Sequence, residues 1–325
     1  MDQVMQFEIQ ITLFIQHIFA GFVNPFKAIT FLGNEEFYLV VMPALYWCID
    51  ATLGFRLGVM LVMTNSINGY IKVLFHSPRP FWMDSRVKAY ISETSFGFPS
   101  GHSQNAAAMW GMMAASLKKK WATSVCVVII FLIGLSRIFL GIHFTRDVIG
   151  GWIIGLLLVF LYLLIEKPLS SWIGAKSLLY KISVSFLVSL LIIALGYLIN
   201  AFFINWQIPA AWVHQALASG AEAPEPFSLE GNFTIAGVWF GFTTGYAWLL
   251  QRKGKVIVQG SIGKRIGRYF VGLFGVGILY LGLKLVFPAT PDVLGFALRY
   301  LRYALIGLWV TAIAPILFER LHLDA

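Results

Sequence analysis

Residues 121–151 read WATSVCVVIIFLIGLSRIFLGIHFTRDVIGG. From Trp121 to Gly141 the stretch is long and apolar enough to cross a bilayer, which takes roughly 20 such residues. A second apolar run follows from Val148 to Ile165. Ser136 and Arg137 stand near the end of the first run, and His143 and Asp147 between the two. Ionisable groups at the edge of membrane spans are costly to place and tend to mark function. The stretch therefore predicts membrane helices with polar chemistry at one end.

The rest of the chain agrees. Of 325 residues, 12% are charged and 58% hydrophobic, and the mean hydropathy is +0.78. That composition excludes a soluble globular core of this size. Further spans are expected over residues 34–50, 53–75, 102–117, 182–204, 233–250, 266–287 and 297–318. Phe7 to Ala28 carries Glu8, Gln10, Gln16 and His17, and either spans, lies along the interface or dips in and out. The expected fold is all-α, a polytopic membrane bundle of about nine to ten spans. No cleaved leader is expected after Met1, Asp2 and Gln3, since neither a basic region nor a small-residue cleavage site follows. Cys48 and Cys126 fall far apart inside spans, without zinc or disulfide spacing, and are expected to pack.

The net charge of +9 follows the membrane rather than nucleic acid. Lys118, Lys119 and Lys120, then Lys167, Lys176 and Lys181, then Arg252, Lys253, Lys255, Lys264, Arg265 and Arg268 lie in alternate connections, which places them on the cytoplasmic side. Residues 205–232 carry Glu222, Glu225 and Glu230 with no lysine or arginine, and belong outside. Counting spans from the triple lysine puts residues 76–101 and His143 together on the outer face. Arg79, Arg86 and Lys88 stand there against the charge rule, either because an anion site holds them or as solvated loop charges. The proline- and aromatic-rich loop from His76 to Pro99 reads as a structured lid.

Cleaving a phosphate ester takes positive charge on the nonbridging oxygens, an in-line nucleophile and an acid for the leaving oxygen. Lys72, Arg79 and Arg137 can supply the charge, two of them through the guanidinium fork. Ser100 and the Gly101 amide, at the start of a helix, can donate further hydrogen bonds. Asp147 follows His143 by four residues, one helical turn, so its carboxylate can hold one ring nitrogen and present the other as nucleophile. His102 is then the general acid. A metal centre is the rival use of two histidines and an aspartate, but three neighbouring cations suit an anion instead. No metal or cofactor is expected.

These residues resemble the type 2 phosphatidic acid phosphatase superfamily. Its pattern is lysine, six residues, arginine, proline; then proline, serine, glycine, histidine; then serine, arginine, five residues, histidine, three residues, aspartate. Lys72, Arg79 and Pro80; Pro99 to His102; and Ser136, Arg137, His143 and Asp147 meet every position. The resemblance runs from about Gly33 to Ile165. It implies a six-helix catalytic core within residues 1–169, with 170–325 as additional helices of the same membrane domain. It also implies metal-independent hydrolysis: His143 attacks phosphorus to form a phosphohistidine, Asp147 orients it, His102 protonates the departing alcohol, and Lys72, Arg79, Ser100, Gly101 and Arg137 cradle the phosphoryl oxygens. Vanadate-dependent haloperoxidases share the motifs but are soluble. The longer span count and the run from Gly33 to Tyr38 look similar to the sphingosine phosphate phosphatase and glucose-6-phosphatase branches. Glu35 and Glu36 in that run are outer-interface charges or line the substrate route. His76 is a loop histidine or tunes the site. Gly150, Gly151 and Gly155 permit close helix packing.

The expected activity is hydrolysis of a lipid phosphate or diphosphate monoester that enters from the bilayer, in a bacterial-type inner or plasma membrane with the site facing outside. The alternatives are phosphotransfer to a lipid or sugar hydroxyl through the same intermediate, and a phosphate-binding transporter.

Overall fold

The computed structural model describes residues 3–254, 256, 258–288 and 290–323, and the side chains of Glu35 and Glu36 lie outside the described residues, as does Lys255. The expectations for those three residues therefore lie outside it too. Helices account for all the regular structure among the described residues. Seven are long and apolar enough to cross a membrane, or eight if one bent pair counts as a span. Hydropathy alone predicts nine to ten spans, and the difference lies in three places.

The N-terminal segment forms α1 (Gln3–Ile18) and α2 (Val23–Phe31), bent by 114°. Pro25 sits in the first turn of α2, where its missing N–H costs nothing; deeper in a continuous helix it would clash with the preceding turn. Next, α3 (Glu35–Ala44) holds Pro43 and runs into a π-helical turn (Leu45–Ile49), so that Phe37–Ile49 is only a short apolar helix. Asp50 ends it, and its Oδ1 accepts from the backbone N–H of Thr52 and Leu53 to start α4 (Ala51–Phe75). The third is α6 (Gly101–Leu117), 17 residues long, which buries Ser103, Gln104 and Asn105.

The other elements are the lid helix α5 (Pro80–Met83), α7 (Lys120–Phe139), α8 (Thr145–Gly174), α9 (Leu178–Phe202), α10 (Ala210–Ala218), α11 (Glu230–Lys253), α12 (Ile262–Gly277), α13 (Leu283–Val286), α14 (Val293–Leu308) and α15 (Ala314–Arg320). They form two compact units. One comprises Met1–Tyr38, Ile67–Leu161 and Leu198–Ser228; the other comprises Leu39–Ser66, Tyr162–Tyr197 and Leu229–Ala325.

In the first unit the lid's aromatics are core. Phe81, Trp82 and Phe96 are buried with Ile9, Phe26, Phe139, Leu140, Ile142 and Phe144. Gln16 of α1 sews the lid to α7: its Nε2 donates to Lys88 O at 2.8 Å and Phe139 O at 2.9 Å, and its Oε1 accepts from Lys88 N at 3.1 Å. Segment 198–228 fastens the same loop further on, through Glu222 N to Ser92 Oγ (3.0 Å) and Glu225 N to Thr94 O (2.9 Å). His76, with φ of 47°, packs among Phe96, Phe203, Trp206 and Phe227. Gly151 and Gly155 bring α8 against α6: a Cβ there would lie 2.7 Å from Ser100 O and 2.5 Å from Gln104 O.

In the second unit α11 packs closely on α14, where a Cβ at Gly241 would collide with Ala304 O. Trp47 Nε1 and Tyr46 Oη donate to Val310 O (2.8 Å) and Thr311 O (3.1 Å) in a π-helical turn (Trp309–Ile313), the kind of turn that shifts backbone carbonyls out of α register. Cys48 and Cys126 are free thiols.

Candidate active site

All eight residues singled out as catalytic or phosphate-binding lie in the first unit. Lys72 comes from the last turn of α4, and its Nζ donates to Phe96 O. Arg79 is the N-cap of α5, held extended by Pro80 behind it. Its side chain is 1% exposed, and its donors are widely used: Nε to Ser95 O (2.7 Å), Nη1 to Ile142 O (2.8 Å), and Nη2 to Ser95 Oγ (3.1 Å) and Phe96 O (3.3 Å). Lys72 and Arg79 thus share one carbonyl of the lid.

Ser100 caps α6, accepting from Ser103 N (3.4 Å) and Ser103 Oγ (2.9 Å). Gly101 and His102 form the first turn of the helix, whose free N–H groups favour an anion. Asn68 supports that turn through Nδ2 to Pro99 O (3.2 Å) and to Gln104 Oε1 (2.9 Å). Ser136 bonds back to Ile133 O at 2.6 Å and belongs to α7's own frame.

His143 and Asp147 close the site from the turn into α8. His143 Nδ1 lies 3.4 Å from Asp147 Oδ2, and the same oxygen accepts from Phe144 N at 2.9 Å. Asp147 O in turn accepts from Ser100 N at 2.9 Å, which ties two motifs together. On the other ring nitrogen, Nε2 is 3.2 Å from Arg79 Nη1. A guanidinium only donates, so Nε2 carries the lone pair and Nδ1 the proton that faces Asp147. Burial, then the charges of Arg79 and Lys72, hold the His143 imidazole well below its usual pKa, in its neutral form.

Three residues outside the motifs complete the arrangement. Glu93 of the lid joins the two arginines: Oε1 accepts from Arg137 Nη2 at 2.6 Å, and Oε2 lies 3.5 Å from Arg79 Nη2. Burial acts to raise the Glu93 carboxyl, but Arg79 and Arg137 outweigh it, and its pKa is lowered to about 2. Thr30 Oγ1 accepts from Arg137 Nη1 at 2.9 Å, and Asn34 Oδ1 lies 2.8 Å from His102 Nε2. In the sequence Glu93 reads as an ordinary loop acid. Asn34 stands in the Gly33–Tyr38 run already singled out, but nothing local ties it to His102.

The expected residues therefore converge, with His102 held by Asn34 rather than by a motif residue. His76 belongs to an aromatic cluster. Arg86 forms an exposed pair with Asp84 at 2.7 Å, a solvated loop charge. Among the described residues no three His, Cys, Asp or Glu side chains form a group that could hold a metal ion.

Comparison with known proteins gives two family matches: the PAP2 superfamily over residues 53–170, and the PAP2 superfamily phosphatase, transmembrane extension, over residues 233–325. Phosphatidylglycerophosphatase B of Bacillus subtilis (strain 168) is 45% identical over 146 residues, covering 41% of this chain and 70% of that protein. Sphingosine-1-phosphate phosphatase 2 of Mus musculus is 31% identical over 136 residues, covering 39% and 38% of the two chains. Human glucose-6-phosphatase 3 is 29% identical over 170 residues, covering 44% and 49%. The chain thus spans less than half the length of these two mammalian relatives. The crystal structure of a transmembrane PAP2 type phosphatidylglycerolphosphate phosphatase from Bacillus subtilis matches 52% of this chain and 88% of its own, with 27% identity and a TM-score of 0.44.

Proposed function

The chain belongs to the PAP2 superfamily, and from that membership and the site's geometry we propose that it is an integral membrane phosphoric monoester hydrolase acting on lipid phosphates through a phosphohistidine, without a metal. One observation carries the reading: the lone pair of His143 Nε2 faces the Arg79 guanidinium while Nδ1 faces Asp147. A buried imidazole aimed at a cation is poorly placed as a base for water, but well placed to meet the phosphorus of a phosphate that the cation has bound.

Arg79, Arg137, Lys72 and the amides at the start of α6 take the nonbridging oxygens. His143 Nε2 forms a bond to phosphorus as the ester P–O bond breaks, and His102 gives its proton to the departing alkoxide. Asp147 supports the positive charge that develops on the His143 ring. Water then attacks phosphorus, the P–N bond breaks, and His102 takes the proton that water loses. Inorganic phosphate leaves with both histidines restored.

Two relatives support a lipid phosphate as the substrate class, one a phosphatidylglycerophosphatase and one a sphingosine-1-phosphate phosphatase. The catalytic motifs are assigned to residues 1–169, with 170–325 as additional helices of the same membrane domain. The compact unit that holds the site also takes in Leu198–Ser228, so this division concerns motifs rather than packing. The distribution of lysine and arginine supports a site on the extracytoplasmic face.

The test is full-length protein in detergent with chelator present, given phosphatidate, phosphatidylglycerophosphate, sphingosine-1-phosphate and an isoprenyl diphosphate, with released phosphate measured. Turnover of at least one is expected, together with a phosphoprotein that is labile to acid and stable to base. Turnover abolished by chelator and restored by added metal would reject the mechanism.

A further inference from the structure

The segment just before the region that matches the catalytic family reaches into the site. We propose that Asn34 is a positioning residue for His102: its amide oxygen accepts from Nε2–H and so assigns Nδ1 as the nitrogen that delivers the proton to the leaving oxygen. This rests on the reading of His102 as the general acid.

The contact is short, 2.8 Å between Asn34 Oδ1 and His102 Nε2, and it joins residues 68 positions apart. The turn that carries Asn34 is fixed from three sides. Gly33 N and Asn34 N bond to Thr30 O (2.9 Å) and Phe31 O (3.0 Å), continuing the end of α2. Thr30 is itself anchored by Arg137. At Gly33 a Cβ would lie 3.3 Å from His102 Cδ2 and 3.2 Å from Ile133 Cγ2, so the backbone passes directly against the imidazole. A larger residue there would push the ring off its line.

The choice of an amide has a chemical consequence. Asp147 gives His143 a charged partner, which suits a nucleophile that must become cationic when it bonds to phosphorus. An acid that gives up its proton in one step and recovers it in the next needs a partner that orients the ring in both protonation states. The Asn34 oxygen accepts a hydrogen bond in both states and brings no charge of its own. In the cation Nε2–H stays on Asn34, and Nδ1–H is the only proton left to give.

The experiment compares Asn34→Ala and Asn34→Asp with the parent, in full-length protein, on an alkyl phosphate and on a nitrophenyl phosphate. Asn34→Ala is expected to lower kcat/KM on the alkyl ester by about 10- to 100-fold. The nitrophenyl ester, whose leaving group needs no proton, should lose no more than about threefold in kcat/KM, which reports only the steps up to phosphohistidine formation, by the same acid-catalysis argument. Asn34→Asp, nearly isosteric, should move the alkaline limb of the alkyl-ester profile upward by about one pH unit, because a carboxylate favours the imidazolium. Adding Asn34→Ala to His102→Ala should cost nothing further.

Equal losses on both esters, an unmoved alkaline limb in Asn34→Asp, or a full additional loss in the double variant would each overturn the assignment. If Asn34→Ala does not fold, the Asn34→Asp profile decides alone. Failure of the nitrophenyl ester to rescue His102→Ala would instead strike the acid role of His102, and so separates the two readings.

Discussion

Glu93 accepts from Arg137 Nη2 at 2.6 Å, so a carboxylate of the lid stands on one of the guanidiniums expected to bind phosphate. The Glu93 side chain keeps 26% of its accessible surface, whereas Arg137 keeps 1%. Two buried guanidiniums without an anion would repel each other in a poorly screened site. Glu93 balances them, in the place that phosphoryl oxygens would take. Glu93→Gln should then bind orthovanadate or phosphate about tenfold more tightly, a gain of ~1.4 kcal/mol. Inhibition constants measured on the folded variant check this, and an unchanged or weaker constant would show that Glu93 does not compete with the anion.

The same pair sets a pH dependence of stability. The Glu93 carboxyl is depressed from 4.5 to about 2 in the folded protein. A depressed carboxylate contributes stability that is fully present above its unfolded pKa and is lost as pH falls through its folded one. Melting temperature should therefore fall between pH 4.5 and 2 more steeply in the parent than in Glu93→Gln, which starts lower at pH 7 because it leaves the arginines uncompensated. Parallel melting curves across that window would contradict it.

For His143 the sign concerns activity. Its pKa lies below the usual imidazole value, so the proposed nucleophile stays neutral into mildly acidic solution. The acidic limb of kcat/KM, once corrected for the substrate's own second ionisation near pH 6, should fall below about 6.5. His143→Ala should abolish turnover and phosphoprotein together. A corrected limb at or above 6.5 would mean that the neutral, buried ring is not the species that reacts.

Arg79 and Arg86 sit seven residues apart and should behave oppositely. Arg79 serves Ser95, Phe96, Ile142 and His143 at once; lysine has one nitrogen to offer and would leave buried carbonyls unpaired. Arg79→Lys is expected to lower kcat/KM by at least about 100-fold and to cost about 1–3 kcal/mol of stability. Arg86→Ala breaks only an exposed pair with Asp84 and should leave both within experimental scatter. Steady-state kinetics and thermal melts on the two variants decide.

The motif residues were legible in the sequence because the chemistry fixes their type and, within each helix start, their spacing: His143 and Asp147 must be one turn apart, and Ser100 must precede α6. Glu93, Thr30 and Asn34 were not, since each reaches the site only through tertiary placement and reads locally as a loop acid, a helix threonine or a turn amide. Hydropathy also named membrane helices correctly where the run was uninterrupted, as in α7 and α8. Its count exceeds the number of helices that are long and apolar enough by themselves in three places: at the 114° bend near Pro25, at the short Phe37–Ile49 helix, and in α6, 17 residues long, whose first turns bury Ser103, Gln104 and Asn105.

The seam between α6 and α8 gives the last prediction. Ser100 N bonds to Asp147 O, so the turn proposed to bind phosphate and the residue proposed to orient His143 are set by one contact. Gly151 lies one turn further along α8, where an added Cβ would stand 2.7 Å from Ser100 O and 3.0 Å from Gln104 N. Backbone cannot yield as a side chain can, so Gly151→Ala must push the helices apart, at a cost of about 1–3 kcal/mol. The shift would lengthen the Ser100–Asp147 contact and misplace His143 relative to the cradle. Activity should therefore fall by about 100-fold at temperatures where the variant is still folded, because a misplacement of about 1 Å is enough. Gly174→Ala, at the other end of the same helix where an added Cβ meets nothing within 4 Å, is the control and should change neither activity nor melting. If Gly151→Ala melts lower yet keeps its turnover, the seam supports the fold without setting the geometry of the site.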